Sequence, residues 1–184
     1  VPTGGLGRLC DALRDEWSLD GLEADLSVIR ALQPALESGD HRVTVAIHGG
    51  RDIIGVWPGY HDRAYGVAFD VGSTTIAGHM VDLTDGTILA SDGVMNPQIR
   101  YGEDLMSRVS YVMMHPGGDE TLTEAVRKAL DTLLATLGNK AGIKRAEILA
   151  LVLVGNPIMH HLVLGIDPTP LGSAPFALAV ATAV

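Results

Sequence analysis

Three apolar segments follow one another between residues 65 and 95, and the joints between them are too short for anything but strands. YGVAFDVG ends in a glycine turn, TTIAGHMVDL follows at once, and Asp85-Gly86 turns the chain into TILASDGVM. Asp-Gly between alternating apolar residues is a strong hairpin signal. Three successive antiparallel strands therefore open this part of the chain, and whatever follows must cover them.

Helices come next. Leu105, Val109, Val112 and Met113 mark one helical face. Thr121-Leu122-Thr123-Glu124 fits a capping box, ahead of Val126, Leu130, Leu133, Leu134 and Leu137, with Gly138 and Asn139 to close the helix. EILALVLVGN is then a continuous apolar run, which reads as a central parallel strand ending at a Gly-Asn turn. PIMHHLVLG reads as a short helix with Pro157 in its first turn. Three antiparallel strands, helices, a parallel strand and a helix are not a doubly wound order. They match an α/β, ribonuclease-H-like half-domain with a mixed sheet.

Residues 1–62 read differently. Leu6, Leu9, Leu13 and Trp17 recur at helical spacing, as do Leu22, Leu26, Ile29, Leu32 and Leu36. Pro34 predicts a kink or an early end in the second helix, and Gly39 is a stop. RVTVAI, the turn His48-Gly49-Gly50-Arg51 and DIIGVW form a hairpin. The turn-forming stretch Pro58 to Arg63 separates this small α+β linker unit from the half-domain at 63–184.

Composition limits the function. Of 184 residues 47% are hydrophobic but only 4% aromatic, so the core is aliphatic. A net charge of −9 leaves no basic stripe for nucleic acid. It leaves room for an anion site made of backbone amides. The single cysteine, Cys10, excludes an intramolecular disulfide and a four-cysteine metal cluster, and reads as a packing residue in a cytoplasmic, reducing location. No apolar run of about 18 residues is present to span a membrane. The opening VPTGG reads like linker and the closing FALAVATAV stops in an apolar stretch, so a piece of a longer protein is expected.

The strongest chemical signal is Asp70-Val71-Gly72-Ser73-Thr74-Thr75. Gly72 permits a tight turn. The amides and hydroxyls of Ser73, Thr74 and Thr75 can then face an anion, and Asp70 is placed to hold Mg²⁺ through water. The plainer reading is a β-turn with a solvated aspartate. Gly155-Asn156 is a second candidate, because ligands collect at the carboxyl ends of strands; helix capping by Asn156 is its plainer role. His160 and His161 are helical neighbours about 100° apart, poorly placed for one metal ion. One reads as core or interface and the other as exposed. Glu103 and Asp104 suit a helix N-terminus, with a cleft role for the polar Asn96-Pro97-Gln98 loop as the alternative. Trp17 and Trp57 read as core or interface.

AFDVGSTTIAGHMVDLTDGTILA resembles the phosphate-1 hairpin of the actin/Hsp70/sugar-kinase (ASKHA) superfamily. MNPQIRYGEDLMSRVSYV and LVLVGNPIMHHLVLGIDPTPLGSAPF narrow it. Over residues 6 to 178 the chain is similar to the reductive activators of corrinoid proteins (RACo-like, ASKHA-domain ferredoxin-like proteins). The resemblance implies a linker followed by a middle domain that is the first half of an ATP-binding fold. It implies ATP-driven reduction of Co(II) corrinoid to Co(I), with a [2Fe-2S] cluster upstream of this chain. The implied partner is a corrinoid protein or corrinoid-dependent methyltransferase, and a homodimer is left open. Asp70, Gly72, Ser73, Thr74 and Thr75 would face the ATP phosphates and Mg²⁺. Ser73 stands where threonine is usual and keeps its hydroxyl. Asn156-Pro157-Ile158 stands where Asn-Thr-Thr is usual, which removes two hydroxyls and an amide. ATP in this superfamily binds between two half-domains, so the chain alone is expected to bind it weakly and hydrolyse none. A dimerisation or partner-docking module and a small-molecule kinase are the competing readings.

Overall fold

The computed structural model describes residues 4–179, and the chain divides into two compact units between Ala64 and Tyr65. The first holds α1 (Gly5–Trp17), β1 (Glu23–Ala24), α2 (Leu26–Ser38), β2 (Val43–His48) and β3 (Asp52–Pro58). Its sheet runs β1-β3-β2, with β3 parallel to β1 and antiparallel to β2. Leu13, Val28 and Ile53 form its buried centre, with Cys10 packed against them. Asp25 starts α2 by accepting the Val28 amide at 2.9 Å.

Three readings of this unit need correction. Pro34 does not end α2, which continues to Ser38 with Gly39 as its C-cap. Proline removes one helical N–H, but burial of Val28, Leu32 and Ala35 holds the helix together. Leu22 lies outside that helix, just ahead of β1, which the sequence pattern missed because two residues show no period. Trp17 is 71% exposed and not core. Trp57 lies over Gly55, where a Cβ would meet its ring at 2.5 Å, and stacks on His61 with centroids 4.4 Å apart.

The second unit is a mixed four-stranded sheet in the order β6-β5-β4-β7. Its strands are β4 (Tyr65–Val71), β5 (Thr75–Asp82), β6 (Ile88–Met95) and β7 (Ile148–Gly155). β4 is antiparallel to β5 and parallel to β7. The helices are α3 (Leu105–Met114), α4 (Gly118–Ala141) and α5 (Pro157–Leu164). Val67, Phe69, Val71, Ile76 and Met80 of the sheet share a core with Leu122, Val126, Leu130, Leu133 and Leu137 of α4. The alternating burial along β5 leaves its other residues on the opposite sheet face.

Here too the structure departs from the sequence pattern. α4 starts earlier than the capping box, at Gly118, with Gly117 as its N-cap at φ 77°. Thr121 is inside the helix and donates its hydroxyl to the Gly117 carbonyl. Asp119 and Glu120 occupy the positive first turn. The helix passes Gly138 and Asn139 and ends at Ala141, because Gly138 is a packing residue: a Cβ there would lie 2.8 Å from the Ile143 carbonyl oxygen. Met113 is exposed, and Arg108 takes the inward position beside Val109.

β7 is parallel but not central. Among the described residues it is an edge strand, and Leu151, Val152, Leu153 and Val154 are all exposed. A continuous apolar run says that both faces suit burial; it does not say which neighbours are present.

Candidate functional site at the carboxyl ends of β4 and β7

The parallel register pairs Val71 with Gly155, so the chain leaves β4 and β7 side by side. This brings the Asp70–Thr75 hairpin next to the Gly155-Asn156 turn. The two turns are built differently. Asn156 is the N-cap of α5, its side-chain oxygen accepting the Met159 amide at 3.0 Å. Gly155 packs against β4, where a Cβ would meet the Val71 carbonyl oxygen at 3.1 Å.

The hairpin is tethered. Gly72 donates its amide to the Thr75 carbonyl at 3.1 Å, and a Cβ on Gly72 would lie 2.6 Å from that same oxygen. Glycine is needed here for close approach. The next three carbonyls all point into the protein. That of Gly72 accepts the Asn96 side-chain amide at 2.9 Å, that of Ser73 accepts the Arg108 guanidinium, and that of Thr74 accepts the Asn96 backbone amide at 2.8 Å. In a trans peptide the C=O and the following N–H point in opposite directions. Anchoring these carbonyls inward therefore turns the amides of Ser73, Thr74 and Thr75 away from the tethers. Among the described residues the Ser73 and Thr74 amides donate to nothing. Thr74, Thr75 and Asp70 are exposed.

Behind the loop lies a buried polar layer. Asn96, Gln98 and Arg108 are each fully buried. Asn96 accepts the Gln98 amide at 3.0 Å, and Gln98 donates to the Leu122 carbonyl at 2.8 Å. Arg108 donates to Gln98 Oε1 at 3.2 Å, to the Gly102 carbonyl at 3.0 Å and to Met159 Sδ at 3.4 Å. The polar loop does cap: Asn96 is the N-cap of the short 3-10 helix Pro97–Tyr101 as well as a tether of the hairpin. Asp104 caps α3 through the Ser107 amide at 2.7 Å, and that bond holds its carboxyl below the ordinary value. Burial lowers the Arg108 pKa, against a smaller opposing pull from Asp104.

Arg108 was not singled out from the sequence. Its signal was positional: it falls three residues after Leu105 and four before Val112, on the inward face of α3. His161 is a satisfied core residue, with Nδ1 donating to the Pro157 carbonyl at 2.7 Å and Nε2 accepting the Ala179 amide at 3.2 Å. His160 is partly exposed. Among the described residues no group of three or more His, Cys, Asp or Glu could hold a metal ion, and no helix is long and apolar enough to cross a membrane.

The family model of the RACo middle region matches residues 65–184, and that of the RACo linker region matches residues 1–63. The chain belongs to the RACo family. Among its RACo relatives is the corrinoid activation enzyme RamQ of Eubacterium limosum, 34% identical over 139 residues, which are 75% of this chain and 23% of RamQ. A solved reductive activator for corrinoid, iron-sulfur protein superposes with a TM-score of 0.83 at 31% identity. That match covers 97% of this chain and 29% of the solved one. The chain therefore spans less than a third of each of these two proteins, and its mixed α/β architecture is that of the solved activator.

Proposed function

We propose that the chain is the linker and middle region of an ATP-dependent reductive activator, and that the Asp70–Thr75 hairpin is its phosphate-1 loop. The observation that carries this reading is the inward tethering of three consecutive carbonyls, which leaves a nest of amides for phosphate oxygens. The residues fit the ligand. Gly72 lets the backbone close, Ser73, Thr74 and Thr75 add hydroxyls, and Asp70 at the strand end is exposed and able to hold Mg²⁺ through water. Asn156 is committed to capping α5, and Gly155 keeps the two turns in contact; this pair shapes the site's wall. In this reading the second unit is a ribonuclease-H-like half-domain of the ASKHA type. The names of the relatives support a corrinoid protein as partner, and a corrinoid-dependent methyltransferase is the finer proposal. The reaction is a one-electron reduction of Co(II) corrinoid to Co(I), in the cytoplasm, with the electron supplied by a [2Fe-2S] centre outside this chain.

The test uses the full-length protein. Asp70→Asn is expected to raise the KM for Mg-ATP and its Mg²⁺ requirement by about tenfold, roughly the loss of one charged contact. Unchanged ATPase and corrinoid-reduction kinetics in Asp70→Asn would refute the phosphate role of this hairpin.

The apolar edge of β7 favours a second reading, a dimerisation or docking module, because an open apolar strand is a template for another chain. Val152→Lys would then abolish self-association or corrinoid-protein capture at unchanged ATPase activity. Sedimentation velocity with and without the corrinoid protein checks it.

A further inference from the structure

We propose that Arg108 is a positioning residue for the phosphate hairpin, aiming the Thr74 amide outward and setting a fixed positive charge behind the loop so that it takes a polyphosphate. This rests on the phosphate-1 reading above and assigns to it a residue 35 positions away from the carbonyl it holds.

The geometry is specific. The guanidinium spends one arm on the Ser73 carbonyl, and the peptide that carries this carbonyl also carries the Thr74 N–H. Its other donors reach Gln98 Oε1, the Gly102 carbonyl and Met159 Sδ, so the head group is fixed from α5 and from the segment between β6 and α3. All four partners are neutral. Among the described residues Arg108 makes no ion pair, and Asp104, whose carboxylate acts on it through space, is exposed and engaged with Ser107. A fully buried cation hydrogen-bonded only to neutral groups lacks a direct counter-charge. An anion on the far side of the Ser73-Thr74 peptide is the compensation this geometry leaves accessible. The fork is also needed as a fork, because three separate directions are bonded at once and a lysine ammonium cannot span them.

Arg108→Gln and Arg108→Lys in the full-length protein test it, with Mg-ATP and inorganic tripolyphosphate as probes at low and high ionic strength. Arg108→Gln is expected to raise the Mg-ATP KM and the tripolyphosphate inhibition constant by about 10- to 100-fold with a smaller change in kcat. Arg108→Lys is expected to give an intermediate rise, since it keeps the charge and loses the fork. It carries the test alone if Arg108→Gln does not fold. A lowered melting temperature with unchanged constants in the folded fraction would overturn the proposal and leave Arg108 a purely structural residue. Asp70→Asn separates the two readings. If Asp70→Asn weakens Mg-ATP and the Arg108 variants do not, only the assignment of Arg108 falls. If no variant changes Mg-ATP binding, the hairpin reading falls and takes this one with it.

Discussion

Two glycine hairpins in this chain look alike in sequence and do different work. The β2–β3 turn uses Gly49 and Gly50 at φ 59° and 70°, and a Cβ at either would meet nothing within 4 Å. Those glycines supply a left-handed backbone to an open turn. The β4–β5 hairpin uses Gly72 without a positive φ, in a place where a Cβ would run into the backbone. Its carbonyls are tied to Asn96 and Arg108, whereas the β2–β3 turn is closed by its own Arg51 amide on the His48 carbonyl. Among the described residues the Gly49 and Gly50 carbonyls have no such tether, and the outside contact of that turn is at Arg51, whose carbonyl accepts the Glu23 amide at 2.9 Å; the β4–β5 turn has three successive peptide planes fixed from outside.

The contrast can be broken most directly at Gly72. Gly72→Ala in the full-length protein is expected to lower kcat/KM for Mg-ATP by about 100-fold, the usual consequence of displacing a positioned group by an ångström. Gly50→Ala should leave those kinetics unchanged. Equal effects of the two substitutions would erase the distinction between the hairpins.

Next in size is the tether itself. Asn96→Ala removes the amide that holds the Gly72 carbonyl and strips the Gln98 amide of its acceptor. Each buried group left without a partner costs about 1–3 kcal/mol, so urea unfolding should show a loss of about 2 kcal/mol or more. The anchor in the first unit is Thr44, which donates to the Gly59 carbonyl and accepts the His61 amide at its hydroxyl. It is only part-buried, and Thr44→Ala should cost about 1 kcal/mol with no effect on nucleotide. Gly50→Ala should cost a similar ~1 kcal/mol through strain at positive φ, read from the same unfolding curves.

The smallest effect is pH-dependent and touches only the cap beneath the site. The Ser107 bonds hold the Asp104 carboxyl below its ordinary value of 3.8. Its contribution is therefore present above that pH and is lost as pH falls through the lower folded value. The melting-temperature gap between wild type and Asp104→Ala should be small at neutral pH and close in acid. A gap that widens on acidification would contradict this sign.

Most elements were legible because they are local. Apolar segments bounded by glycine turns marked β4, β5 and β6, alternation marked β2, and the helical repeat marked α2 and α4, since each signal lies within the element's own residues or its turns. The Gly72 turn was legible for the same reason: glycine and hydroxyl residues stand together in one short segment, and the anion site is proposed from it. The boundaries of α4 were not, because Gly138 serves a neighbour rather than the helix end.

By itself the sequence determined which segments are strands, which faces are apolar, and that Gly72 to Thr75 could turn amides outward. Only the tertiary structure decided what turns them. Arg108 reaches Ser73 across 35 positions, and Met159 backs the same guanidinium from 51 positions away. No spacing in the chain records such a contact; it exists only once α3 and α5 have packed beside the loop. The edge position of β7 has the same origin, because whether an apolar strand is central depends on which strands lie beside it and not on its own residues.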